Sequence, residues 1–112
     1  MPRFVILEHD HPFRHWDFML EAGDVLRTFR LHALPRPGAI VRAEALGDHR
    51  IHYLDYEGPV SGNRGSVQRW DAGAFAWVED GEKRLVVDLQ GAQCQGRAVV
   101  TATAAGWTFV LT

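Results

Sequence analysis

The chain has little cysteine, little lysine and no long apolar run, and each shortage excludes a class of protein. The single Cys94 excludes an internal disulfide and a zinc site built from cysteines alone, and it is expected to be a small buried residue. No stretch approaches the roughly 20 apolar residues that span a bilayer, so no membrane association is expected. Because no secretory leader precedes the first apolar run at residues 4–7, we expect a cytoplasmic protein.

The chain also lacks a net positive charge. The formal net charge is −2, which excludes a broad basic surface that would hold nucleic acid by counterion release. Lys83 is the only lysine among the twelve basic residues, and all the others are arginine. Arginine carries a planar fork that suits phosphate oxygens, although a GC-rich genome would produce the same bias. Any phosphate binding is therefore expected to depend on a few local arginines.

Apolar and β-branched segments recur along the chain between turns rich in Gly, Pro, Asp and Glu, and no segment has a sustained helical period. The predicted strands cover residues 3–9, 15–21, 25–32, 39–46, 66–70, 74–78, 84–89, 97–102 and 107–111. Residues 39–46 would fit a short helix almost as well. The sequence predicts one all-β domain over residues 1–112, a small antiparallel β-barrel of about eight strands with short connecting loops. Closure of the barrel would hide the sheet edges.

Residues 8–21 form the densest mixture of histidines, carboxylates and aromatic residues. Side chains alternate across a strand, which places His15, Asp17 and Met19 on one face and Trp16 and Phe18 on the other. His9 ends the preceding strand and would join His15 and Asp17 if the two strands pair. Two imidazoles and one carboxylate suit a divalent transition metal such as manganese, iron or zinc. Half-buried residues satisfied by ordinary hydrogen bonds would give the same pattern.

A second polar and aromatic cluster precedes the glycine-rich segment 58–65. His49 and His52 could act as general acids or donate hydrogen bonds to a phosphate group, since histidine titrates near neutral pH. The segment 61–65 could bind an anion through its backbone N–H groups and the Arg64 guanidinium, but it lacks the P-loop pattern. Histidines of a surface turn are the alternative interpretation of this cluster.

The first cluster carries a specific likeness. Residues 9–21 resemble the HD-x-x-x-x-H-[YW]-D-F-R-L-E signature of the 3′-phosphoesterase domain of bacterial DNA ligase D. The resemblance continues through Asp48-His49 to Tyr53, then through residues 56–58 and the glycine-rich segment to Trp70-Asp71. It ends in the turn 91–97 and the last strand, and therefore covers almost the whole chain.

The resemblance implies an eight-stranded β-barrel that trims 3′ ends at DNA breaks. Such domains remove a terminal ribonucleoside and then a 3′-phosphate with manganese or a similar metal, so Mn²⁺ is expected here, with Zn²⁺ or another transition metal as the alternative. The implied metal ligands are His9, His15 and Asp17, and the implied phosphate-contacting residues are His49 and Tyr53. The implied partners are DNA or RNA-tipped DNA 3′ ends, and a repair ligase or polymerase. With no ligase or polymerase domain in the sequence, we expect a stand-alone relative.

The chain also departs from the signature. Met19 stands where the family has an arginine after D-F, and Phe13 replaces the arginine of the first motif. The acidic residue two positions before the phosphate-contacting histidine is Gly47, and the glycine-rich loop is shorter than usual. The loss of two arginines indicates a changed substrate, a weaker enzyme, or phosphate-binding arginines at other positions. Arg14 and Arg64 are candidates for the catalytic site, and Arg30 and Arg36 are candidates for substrate binding.

Three functions therefore remain open. The first is a metal-dependent 3′-phosphoesterase. The second is a binding module that keeps the barrel but has weak or no catalysis, and the third is a phosphoesterase for a different small phosphate ester.

Overall fold

The computed structural model describes residues 1–112, which form ten strands and one short helix. The strands are β1 Arg3–His9, β2 His15–Ala22, β3 Val25–Leu31, β4 Ile40–Ala45, β5 His49–Arg50, β6 Gly58–Pro59, β7 Ser66–Asp80, β8 Arg84–Gly91, β9 Gln95–Thr103 and β10 Gly106–Leu111. The helix is a 3₁₀ turn at Ile51–Leu54. No helix in the structure is both long and apolar enough to cross a bilayer.

Eight of the strands close into an antiparallel ring. The order around the ring is β1-β2-β3-β4-β10-β9-β8-β7, and β7 pairs again with β1. The short strands β5 and β6 lie outside this ring and pair with β3 and β7. The predicted all-β architecture of about eight strands is confirmed, and residues 39–46 contain a strand rather than a helix.

The inside of the ring is the main hydrophobic core. Its 18 buried residues come from all eight ring strands and, in the case of Cys94, from the turn between β8 and β9, and Phe18, Phe75 and Phe109 are among those with no exposed surface. Burial of this apolar area supplies the main stabilisation of the fold. Trp16 and Phe18 belong to this core, as the alternation of residues 15–21 predicts.

A smaller apolar cluster lies on the outer face of the ring. It comprises six buried residues: Val5, Leu7, Met19, Leu26, Leu54 and Val67. Leu54 comes from the 3₁₀ helix, so residues 49–65 form a covering segment that packs across β1 and β2. Asp55 at the end of that helix accepts a hydrogen bond of 2.6 Å from Arg3 Nη2, which ties the segment to β1. The candidate site lies on this covered outer face.

The sequence interpretation of residues 66–78 was wrong in one respect. It placed a turn at residues 71–73 between two strands, whereas the structure has one continuous strand from Ser66 to Asp80. Gly73 is required by a close approach: a Cβ at this position would lie 2.1 Å from the Gln90 carbonyl oxygen. The register against β1 shifts at Trp70, which forms a β-bulge instead of a chain reversal.

Candidate metal centre and phosphate pocket

The pairing of β1 with β2 brings the three predicted metal ligands together. His9 lies directly opposite His15, and Leu7 lies opposite Asp17. Opposite residues of an antiparallel pair share a face, so both histidines and the aspartate project from the outer side of the ring. One ligand atom from each residue lies within 4.8 Å of the other two. The predicted convergence of His9, His15 and Asp17 is therefore present in the structure.

Backbone carbonyls fix the ring orientation of both histidines. His9 Nε2 lies 2.8 Å from the carbonyl oxygen of Arg64, and His15 Nδ1 lies 2.8 Å from that of Phe13. A carbonyl oxygen can only accept, so each of these nitrogens must carry the proton. The opposite nitrogens, His9 Nδ1 and His15 Nε2, then present their lone pairs. Metal-binding histidines are commonly oriented in this way.

The two remaining imidazole nitrogens both lie near the carboxylate of Asp17. His9 Nδ1 lies 3.5 Å from Asp17 Oδ2, and His15 Nε2 lies 3.1 Å from Asp17 Oδ1. Asp17 is 3% exposed, and its Oδ1 forms no hydrogen bond despite the close nitrogen. A buried carboxylate oxygen without a donor is costly unless a cation compensates its charge. The donor set and its orphaned oxygen fit a divalent transition metal.

The triad opens into a small pocket of about 80 Å³, which we call the triad pocket. It is lined by His9, Asp17, Met19, His49, Tyr53, Val60, Arg64 and Val67. His49, Tyr53 and Arg64, which the sequence indicated as catalytic residues, thus lie around the same pocket as two of the predicted metal ligands, His9 and Asp17. Val60 and Val67 were not foreseen, because nothing in their local sequence distinguishes them from other core valines.

The covering segment supplies the polar residues of the triad pocket. His49 Nδ1 donates to the Gly47 carbonyl oxygen at 2.9 Å, so the free nitrogen of this ring is Nε2. Tyr53 lies on the 3₁₀ helix with its ring 6.1 Å from that of His49. The Arg64 side chain is held by its own loop, where Nε donates to the Ser61 carbonyl oxygen at 2.7 Å.

The loop that bears Arg64 is fastened to the first motif. Asp10 Oδ1 accepts a hydrogen bond of 2.8 Å from the Ser66 backbone N–H. Gly65 lies beside this contact with φ +71°, and a Cβ there would lie 2.1 Å from Asp10 Oδ1. Glycine at residue 65 therefore permits the loop to approach close enough for the Arg64 carbonyl to reach His9.

The two departures from the family signature lie beside the triad. Met19 is fully buried in the wall of the triad pocket, on the same face as Asp17. Phe13 is exposed and packs at its edge against His15 and stacks on His32, with ring centroids 5.5 and 5.8 Å apart. Apolar groups therefore occupy both positions where the resemblance leads us to expect guanidinium groups.

Three of the predicted arginines do not line the triad pocket. Arg14 binds Glu8 at 2.8 Å and lies over the Trp16 ring, on the strand face opposite the triad. Arg30 lies opposite Asp17 in the β2–β3 pairing, and its guanidinium lies over Phe13 and 3.5 Å from Glu44. Arg36 is exposed in the loop before β4. The roles assigned to these arginines stay predictions.

The chain is similar to one protein family and to parts of two larger proteins. The family model of the DNA ligase D 3′-phosphoesterase domain matches residues 7–102. The multifunctional non-homologous end joining protein LigD of Pseudomonas aeruginosa is 29% identical over 105 residues, which cover 85% of this chain and 12% of that protein. The protein of the same name from Mycolicibacterium smegmatis is 29% identical over 117 residues, covering 90% of this chain and 15% of that protein. The chain thus spans less than a sixth of either relative.

Proposed function

Because this chain belongs to the DNA ligase D 3′-phosphoesterase domain family, we propose that it is a metal-dependent phosphoesterase acting on DNA ends. Its substrates would be a 3′-phosphate or a 3′-terminal ribonucleotide, and its cofactor Mn²⁺, with Zn²⁺ as the alternative. The observation that carries the proposal is the convergence of two oriented imidazoles and an orphaned carboxylate beside His49, Tyr53 and Arg64. A cytoplasmic role in end joining with a repair ligase or polymerase is part of the same proposal.

His9, His15 and Asp17 would hold the metal. A bound divalent cation polarises a phosphoryl oxygen and stabilises charge that develops in the transition state. The protein contributes two lone pairs whose direction is set by the Arg64 and Phe13 carbonyl oxygens. Both imidazole rings are already held in one orientation by these bonds, which would lower the cost of binding.

His49 would be the proton donor. Its Nδ1–H is committed to the Gly47 carbonyl oxygen, which leaves Nε2 for the substrate. When protonated, Nε2 can donate to a phosphate oxygen or give its proton to the leaving oxygen. Tyr53 lies close enough to restrict the imidazole and to offer its hydroxyl to the same phosphate.

Arg64 would supply the positive charge that the family places elsewhere. Arg64 lines the same pocket as Met19, and its guanidinium, which is bonded to Ser61 in the free protein, would turn towards the phosphoryl group. Charge-assisted hydrogen bonds from such a group to phosphate oxygens are roughly twice as strong as neutral ones. Arg30 and Arg36 would contact the substrate outside the pocket, while Arg14 would first have to leave Glu8.

One observation favours a second candidate function, a module that binds phosphorylated ends without turnover. Met19 is apolar, fully buried and part of the pocket wall, so it can neither donate to a phosphoryl group nor compensate its charge. A phosphoesterase for a small phosphate ester is the third candidate, because the net charge of −2 gives little general attraction for a duplex.

A single experiment separates these candidates. Purified protein with Mn²⁺ is incubated with a duplex that carries a recessed 3′-phosphate or a single 3′-ribonucleotide. We expect turnover by the wild type, none by His9→Ala, and wild-type turnover by Glu21→Gln, whose carboxylate bonds only the Arg3 backbone. End binding with stoichiometric metal but no turnover would support the binding module. Turnover of a nitrophenyl phosphate alone would support the small-ester enzyme.

A further inference from the structure

The triad pocket is too small for a nucleotide. Its volume of about 80 Å³ corresponds to a few water molecules at roughly 30 Å³ each, enough for a phosphoryl group. The remainder of any substrate must therefore lie outside it. A second pocket of about 420 Å³ adjoins it and shares the residues Tyr53, Val60 and Arg64. We call this second space the outer pocket. Its volume falls in the range of roughly 300–1,000 Å³ found for small-molecule sites.

Aromatic rings form one side of the outer pocket. The His52 ring lies 4.2 Å from the Tyr53 ring at an angle of 39°, and 5.4 Å from the Tyr56 ring. Tyr56 donates its hydroxyl to the Pro59 carbonyl oxygen, which anchors that ring to the loop. Burial, together with the charge of Arg50, lowers the pKa of His52, so this imidazole is neutral at neutral pH. The rings offer a polar, partly exposed stacking surface.

Two arginines supply the charge of the outer pocket. Arg50 and Arg64 line it, and no carboxylate does. Arg50 donates to His52 Nδ1 at 3.2 Å, a neutral acceptor that leaves the guanidinium charge uncompensated. The acidic residues next in sequence bind elsewhere, since Asp55 pairs with Arg3 and Glu57 accepts from the Arg69 backbone. In a chain of net charge −2, this is a local positive site.

We propose that the outer pocket binds the nucleotide that precedes the 3′-terminal phosphate, with its base against His52 and Tyr56 and its 5′-phosphate against Arg50. The inference rests on the proposed function, because it takes the triad pocket as the site of the terminal phosphoryl group. Stacking on aromatic rings contributes to binding of single-stranded nucleic acid whatever the base. The substrate class is accordingly an unpaired or frayed 3′ end of at least two nucleotides, not a small phosphate ester.

Calorimetry with two ligands tests the proposal without turnover. The ligands are a trinucleotide with a 3′-phosphate and a nucleoside 3′-phosphate, each titrated into protein freed of metal with chelator, so that neither ligand is hydrolysed. We expect the wild type to bind the trinucleotide about tenfold or more tightly than the nucleoside 3′-phosphate. His52→Ala should reduce that ratio towards one. Arg50→Ala, at an exposed residue whose side chain bonds only to His52, should weaken trinucleotide binding severalfold and lower its salt dependence by about one ion.

Arg84→Ala is the matched control, since Arg84 is an exposed arginine that pairs with Glu79 and lines neither pocket. It should retain the wild-type ratio. Equal affinity of the wild type for both ligands, binding of neither, or an unchanged ratio in both His52→Ala and Arg50→Ala would overturn the outer pocket as a nucleotide site. A wild type that keeps the ratio but turns over neither ligand when Mn²⁺ is supplied would leave this site standing and remove the proposed catalysis.

Discussion

The molecule buries two carboxylates, Asp17 and Asp71, and treats them in opposite ways. Each is 3% exposed. Asp71 accepts four backbone N–H groups, from Ala72 and from the turn at residues 92–94, at 2.8–3.1 Å. Asp17 faces two imidazole nitrogens and has an oxygen without any hydrogen bond. Burial alone therefore does not distinguish a structural carboxylate from a functional one.

The two carboxylates differ in the hydrogen-bond donors that surround them. Four N–H groups satisfy the charge of Asp71 from within the chain, so this residue closes the turn between β8 and β9 and needs no ligand. Asp17 lies beside two imidazoles whose other nitrogens donate to the Phe13 and Arg64 carbonyl oxygens, so neutral rings offer it no N–H group. Because a buried charge without a donor is costly, we propose a metal ion at this carboxylate.

The largest expected effect comes from removing the satisfied carboxylate. Asp71→Ala leaves four backbone N–H groups without this acceptor, among them the buried N–H of Cys94, and we expect the free energy of unfolding to fall by about 3 kcal/mol. Urea denaturation followed by tryptophan fluorescence measures this. Asp88→Ala, which removes an exposed carboxylate paired with Arg97, should have a far smaller effect. Similar losses in the two variants would refute the structural role of Asp71.

The turn held by Asp71 should also protect its cysteine. Burial, reinforced by the Asp71 charge, raises the pKa of Cys94 from its ordinary 9.0 to about 12. A raised thiol pKa keeps the reactive thiolate scarce at pH 8, so alkylation of the native protein should be roughly a thousandfold slower than in 8 M urea. Mass spectrometry of iodoacetamide-treated protein measures the two rates. Comparable rates would show that the turn is open.

Changing the unsatisfied carboxylate should affect metal binding. Asp17→Asn removes the charge but keeps the shape, and we expect Mn²⁺ affinity to fall by at least about a hundredfold. Isothermal titration of protein freed of metal with chelator gives the two dissociation constants. Glu21→Gln, on the same strand face, is the control and should bind Mn²⁺ as the wild type does. Equal affinities for Asp17→Asn and wild type would exclude Asp17 as a ligand.

The smallest expected effect is that of Asp17→Asn on stability in the absence of metal, and it distinguishes Asp17 most clearly from Asp71. In excess chelator, Asp17→Asn should change the free energy of unfolding by less than about 1 kcal/mol, and the change should favour folding, because a buried charge without a donor is lost. Urea denaturation in EDTA measures it. A loss as large as that of Asp71→Ala would mean that Asp17 is a structural partner of protonated imidazoles.

Features that depend on neighbouring residues can be predicted well from the sequence. Alternation over residues 15–21 correctly assigns Asp17 and Met19 to one face and Phe18 to the core. The pairing of β1 with β2 follows from a short connection, so the convergence of His9 with His15 is accessible from sequence. The ring itself follows from the number and spacing of the strands.

The remainder depends on contacts between distant residues. Asp71 was taken as part of a turn, because its true partners lie more than 20 residues further along the chain. The orientation of His9 depends on a backbone carbonyl 55 residues away, which has no side-chain signature. The 3₁₀ helix that presents Tyr53 has too few residues for a periodic pattern, so the sequence did not predict it, and the role of Tyr53 came from the family resemblance.

The most direct test of the proposed metal site at His9, His15 and Asp17 is anomalous diffraction from a crystal soaked in Mn²⁺. We expect one strong manganese peak within coordination distance of His9 Nδ1, His15 Nε2 and a carboxylate oxygen of Asp17, on the wall of the triad pocket. No peak there, with Asp17 Oδ1 hydrogen-bonded to a protonated His15 Nε2, would contradict it.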